Sequence, residues 1–201
     1  MSTTRDYLKE LSDLFVSDLH TSQYYRSLTA AERAEVDRRL ADDAARGLLP
    51  LVPGALATDL AALEEALAAR LGIWLPEAIK ALLREVDGFV ENGTVLYSVD
   101  AELTEGESGA RPGILAENEL AWRDFPELSN RWLLVGDNEL SFFGYDLDHD
   151  EFWALERYSL RKQHEFVTGG ELLCFLLRTA LRLPEAAPDT GSATLPDRQN
   201  N

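Results

Sequence analysis

The chain has 201 residues, 45% hydrophobic and 27% charged, and its 36 acidic against 19 basic side chains leave a formal charge of −17. For a mass of 22.4 kDa, area scaling lets roughly 70% of the unfolded chain's surface be buried, so one domain with an ordinary core is expected without disulfide or metal staples. The charge argues against nucleic acid as ligand, no apolar run reaches the length of a membrane span, and a single cysteine cannot form an intrachain disulfide.

In chain order, Tyr7, Leu8, Leu11, Leu14, Phe15 and Leu19 recur at helical spacing over 5–19, and Thr29-x-x-Glu32 is a capping box that opens a second helix to about Arg46. These predict a helical N-terminal extension over 1–50. Gly47 stops the second helix, and the Pro50 and Pro53 segment reads as a connector. From Thr58, Leu60, Leu63, Leu67 and Leu71 share one helical face that ends at Gly72. Trp74, between Ile73 and Leu75, is expected in the core. Pro76 suits the first position of a further helix with the stripe Ile79, Leu82, Leu83, Val86, ending before Gly88.

Phe89-Val90 and Thr94 to Tyr97 flank Asn92-Gly93, a strong hairpin signal, and 100–113 reads as a loop. Ile114 to Phe125 predicts a short helix, Trp132 to Val135 a buried strand, and Ser141 to Leu147 and Phe152 to Tyr158 two more strands about a turn at Asp148-His149-Asp150. Thr168-x-x-Glu171 opens a last, largely apolar helix to about Leu183, in which Cys174 is expected to be buried and inert. Residues 185–201 have nothing to bury and are expected to be a disordered tail. Helices, a run of strands, then a closing helix predict an α+β domain over 51–184 with a mostly antiparallel sheet.

The acidity is regional. Residues 100–156 hold 15 acids against 3 bases, −12 of the total −17. Such a surface favours encounter with a cationic partner, although a solvated acidic face would carry the same charge. The candidate partner-binding residues are Glu102, Glu105, Glu107, Trp122, Asp146, Asp148, Asp150 and Glu151. Tryptophan enters this set because it anchors interfaces when exposed, and Trp122 lies in a polar neighbourhood beside the acids.

Catalytic and metal chemistry find little footing. Asp146-x-Asp148-x-Asp150 invites a calcium reading, but Glu151 and Arg157 stand where an EF-hand loop needs its glycine and its final glutamate. The three carboxylates are expected instead to project from a strand edge and turn. His20, His149 and His164 lack zinc-site spacing, and Gly169-Gly170 lacks the pattern of a phosphate loop. No catalytic residue, metal or cofactor is assigned.

The stretch LAARLGIWLPEAIKALLREVDG, Leu67 to Gly88, resembles the opening signature of the SUKH superfamily, the Smi/Knr-like proteins. The resemblance continues through Leu96-Tyr97-Ser98, Glu117-Asn118, Trp132 to Asp137, the strand pair around Tyr145 and Trp153, and the last helix, covering about 56–183. It implies an α+β fold used for protein binding, without known catalytic residues. Many bacterial members resemble immunity proteins that neutralise a toxin domain, often a nuclease, while eukaryotic relatives serve as regulatory scaffolds. The expected function is thus a non-enzymatic immunity protein covering a basic toxin domain, or alternatively a scaffold of the Smi/Knr-like type with no toxin partner. The start of the chain has no apolar core of a signal peptide, so a cytoplasmic location is expected, with neither membrane nor nucleic acid as partner. The oligomeric state stays open.

Overall fold

The computed structural model describes residues 3–104 and 111–184. Its N-terminal helices are α1 (Thr4–Thr21), α2 (Gln23–Ser27) and α3 (Ala30–Ala45), followed by α4 (Ala57–Arg70) and α5 (Glu77–Glu85). The strands are β1 (Phe89–Glu91), β2 (Thr94–Leu96), β3 (Trp132–Asp137), β4 (Ser141–Asp146), β5 (Glu151–Glu156) and β6 (Lys162–Phe166). Helix α6 (Ile114–Asp124) falls between β2 and β3, and α7 (Gly169–Ala180) closes the chain. Among the described residues the six strands form one antiparallel sheet in the order β1 to β6, so the fold is α+β as the element pattern predicts.

Local chemistry explains most boundaries. Thr29 and Glu32 form their reciprocal cap, Gly47, Gly72 and Gly88 take positive φ after α3, α4 and α5, and Asn92 and Gly93 at φ 47° and 75° make the β1–β2 turn. Pro76 sits one residue earlier than expected, at the N-cap of α5. At α7 the Thr168 hydroxyl accepts from the Glu171 N–H, while Glu171 reaches back to the Val167 N–H at 2.9 Å.

Sheet and helices enclose one core. On one face, Phe143 and Phe166 meet Phe175 of α7 at ring separations of 5.9 and 5.3 Å, and α1 packs against α7, with Leu8 and Leu11 in the same core as the sheet. No residue of α3 is buried, so that helix lies outside the core. On the other face α6 covers β3. Where β2 has ended, the fully buried Asn118 of α6 takes over as strand partner: its Oδ1 accepts from the Leu134 N–H at 2.7 Å and its Nδ2 donates to the Leu134 carbonyl at 2.8 Å.

A bulge between Leu134 and Gly136 then shifts the β3 register, so that Asp137 pairs with Phe142 and faces α6. Gly136 permits this, because a Cβ there would collide with the Val95 carbonyl oxygen of β2.

Several expectations are corrected. Trp74 is 75% exposed, because the tight α4–α5 junction buries Ile73 and Leu75 on either side and turns the residue between them outward. Cys174 is only half-buried, on the flank of α7 between its inward face and the exposed Phe175. The stretch expected as a loop from residue 100 begins with a 3-10 turn, Ala101–Leu103. Strand β6 and the short α2 were not expected at all. β6 is an edge strand in which only Phe166 is buried, so its hydrophobic alternation is absent. The proposed tail, 185–201, lies outside the described residues.

Candidate functional site

The acidic segment separates into three settings. Near the start of α6, Arg70 of α4 bridges Glu102 at 2.6 Å and Glu119 at 2.5 Å, so Glu102 is exposed but already ion-paired. Asp100, two residues before it, is buried and accepts from the Leu115 and Ala116 N–H groups at 2.8 and 2.9 Å, capping α6 from a distance in sequence. Glu105 and Glu107 lie outside the described residues.

The second setting is the β4–β5 turn. Asp148 and Asp150 are exposed on it, and Asp150, at φ 59°, accepts from the Tyr145 hydroxyl at 2.9 Å. Burial and that bond push the Tyr145 phenol up to about 12. Asp150 also stands on the rim of a cleft of about 680 Å³, with Arg5 and Glu85 beside it and Leu82, Phe152 and Leu173 in its wall.

Asp146 departs from the expected outward pattern, since its side chain is 0% exposed. His149 Nδ1 lies 3.1 Å from its Oδ1, and the Asp148 N–H donates to the same oxygen at 3.2 Å. The Lys162 ammonium stands 3.0 Å from Oδ2 but off the hydrogen-bonding axis, leaving that buried oxygen with an ion contact and no aligned donor among the described residues. Burial opposes the Asp146 charge, yet Lys162, His149 and the Asp148 N–H outweigh it and hold the carboxyl below its usual value.

Lys162 itself rests over two indoles, 5.2 Å from Trp132 and 4.3 Å from Trp153, and Glu151 accepts from the Trp153 Nε1–H at 3.0 Å. Trp122 is half-buried and spends its indole N–H on the Trp132 carbonyl at 3.0 Å, so it supports this cluster from α6. The structure thus brings Trp122, Asp146 and Glu151 around Trp132 and Lys162, whereas Glu102 sits with Arg70 and Glu119.

The third setting was not singled out from sequence. Between α6 and the sheet lies a cavity of about 90 Å³ lined by Tyr97, Glu117, Asp124, Phe125, Asp137 and Arg157. Arg157 donates to Asp137 at 3.0 Å and to the Asn138 carbonyl at 2.7 Å, with its guanidinium 4.6 Å over Phe142. Glu117 makes no ion pair among the described residues. Burial first, then the Asp137 and Asp100 charges, raise its pKa above the usual glutamate value. Burial likewise raises the Tyr97 phenol, with Asp137 and Glu117 adding to it. Glu117 and Asp137 entered the sequence reading through the resemblance and not as site residues, and the one sequence signal for the bulge that turns Asp137 toward α6 was Gly136.

Among the described residues no three His, Cys, Asp or Glu side chains converge as a metal site would, and no helix is long and apolar enough to cross a membrane. The chain matches no protein-family model and no curated protein.

Proposed function

We propose that the chain is a protein-binding domain whose acidic surface covers a basic partner, and that the partner is a toxin domain which the chain neutralises, as its resemblance to SUKH immunity proteins implies. The observation that carries the reading is the unbalanced charge of the strand-rich half. Glu127, Glu139, Asp148 and Asp150 are exposed and make no ion pair among the described residues. The three bases of the same region are spent locally: Arg111 on the Asp87 carbonyl, Arg123 on Asp124, and Arg131 near Asp146 at 3.8 Å. An acidic face with its own cations committed elsewhere competes well with a nucleic acid for a basic cleft.

The test is co-expression with the toxin domain encoded beside this chain, scored for growth and co-elution. Rescue with a stable, salt-sensitive complex supports neutralisation. A toxic neighbour that the chain neither binds nor relieves overturns it and leaves the scaffold reading, for which several weak partners in a pull-down are expected.

A further inference from the structure

We propose that the end of the sheet where the β3–β4 and β5–β6 turns meet is the contact surface for the basic protein partner, with Leu140 and Tyr158 as its apolar anchors and Glu139 on its rim. This rests on the protein-binding reading above and assigns it a place on the fold.

The first argument is exposure without a structural cause. Turns are ordinarily polar, because a large apolar side chain there stays in water and adds nothing to the core. Here Leu140 is 69% exposed in the β3–β4 turn and Tyr158 is 81% exposed in the β5–β6 turn. The two belong to one surface, since the Arg157 N–H donates to the Leu140 carbonyl at 2.9 Å and joins the turns. Leu120 of α6, 44% exposed, continues the patch, because it lines the recess under α6 together with Arg157 and Phe142.

The second argument is preorganisation. Asn138 Oδ1 accepts from the Leu140 and Ser141 N–H groups at 2.9 and 2.8 Å, and the Asn138 carbonyl accepts from the Arg157 guanidinium. In the other turn Glu156 accepts from the Ser159 N–H at 2.6 Å, and the Glu156 N–H donates to the Arg161 carbonyl at 2.9 Å. Both backbones are thus fixed before anything binds, so covering Leu140 and Tyr158 costs little beyond side-chain freedom. Tyrosine loses few torsions for the area it covers, which suits it to anchoring an interface.

Charge selects the partner. Glu139, beside Leu140, is exposed and makes no ion pair among the described residues, and Glu117 in the recess makes none either. The nearby cations are engaged: Arg157 pairs with Asp137, and Arg161 rests on the Ser159 hydroxyl at 3.2 Å. An apolar centre edged by unpaired carboxylates fits a protein surface that carries an apolar recess among lysines and arginines. It repels a nucleic acid, whose phosphates would meet the acids.

The probes are two peptides, acetyl-Arg-Trp-Arg-amide and acetyl-Glu-Trp-Glu-amide, titrated into the full chain and followed by backbone amide shifts. Saturable shifts at Leu120, Leu140 and Tyr158 are expected from the cationic peptide and not from the acidic one. Leu140→Ser and Tyr158→Ser change only exposed side chains, so each should keep the urea midpoint of wild type while weakening the cationic peptide about fivefold. No saturable shift at these residues, an equal response to both peptides, or binding unchanged in both variants overturns the proposal. The toxin domain encoded beside the chain separates this surface from the reading it rests on. Capture weakened about tenfold or more by Tyr158→Ser supports the surface. Capture with wild-type affinity by both variants overturns the surface and leaves the protein-binding reading intact. Peptide binding that the variants lose, in a chain that captures no toxin domain, supports the surface and overturns the toxin reading.

Discussion

Lys162, on the edge strand β6, places its ammonium 3.0 Å from the buried carboxylate of Asp146 on β4, reaching across β5 to do so. The contact ties an otherwise exposed edge strand to the middle of the sheet. Removing the cation leaves Asp146 with only His149, the Asp148 N–H and the more distant Arg131. Lys162→Met is therefore expected to cost about 2–3 kcal/mol in urea unfolding, less than breaking a fully buried pair because Lys162 is itself partly exposed and Arg131 remains nearby. Adding Asp146→Asn to that variant should recover part of the loss, since no unpaired charge is then buried. Additive losses would show that the two residues do not act as a pair.

Acid should affect this protein in two opposed steps. Glu117 and Asp100 have folded pKa values raised above 4.5 and 3.8, chiefly by burial, so their charges penalise the fold at neutral pH and the penalty fades as pH falls toward those values. Asp146 is the opposite case. Its folded pKa lies below 3.8, so its contribution is complete above that value and is lost as pH falls through the depressed folded one. Urea midpoints should therefore rise from pH 7 to about pH 5 and fall steeply below about pH 4. Glu117→Gln should flatten the rise and leave the fall unchanged.

The bulge in β3 sets a sharp steric test. Gly136→Ala drives a methyl group into the Val95 carbonyl of the neighbouring strand, where backbone must move to accommodate it. A loss of about 2–4 kcal/mol is expected, with amide shifts centred on β2, β3 and Asp137. A shift of a few tenths would mean that the bulge can migrate.

The distant cap on α6 is equally open to measurement. Asp100→Ala removes the acceptor of the Leu115 and Ala116 N–H groups and should cost about 1–2 kcal/mol. Hydrogen exchange should quicken first at the start of α6. Protection unchanged at those two amides would assign the cap to another group.

On the surface, reversing Glu139 and Asp148 to lysine should leave the fold within about 0.5 kcal/mol, since both are exposed and free of ion pairs among the described residues. The same pair should slow association with a basic partner and reduce its dependence on salt. Equal association rates for variant and wild type would move the interface away from the two turns that flank β4.

The amino-acid sequence by itself determined most of the succession of elements, all but α2 and β6. Capping residues, left-handed glycines and periodic apolar stripes act within a few residues of chain, and the Thr29 box, the Asn92-Gly93 turn and the α5 stripe stand where those signals lie. It also determined that the acid excess is regional, because that is a count. It did not reveal β6, whose edge position frees it from the apolar alternation by which strands are read. Nor did it distinguish one carboxylate from another. Asp146, Asp148 and Asp150 alternate evenly along the chain, yet the first is buried against a lysine and the other two face water, because sheet pairing and a turn decide which way each points. The same holds for Asp100, Glu117 and Asp137. Only the packing of α6 on β3, with the bulge at Gly136, made one acid a helix cap and gathered the other two around a buried tyrosine, since such contacts join residues that lie far apart in the chain.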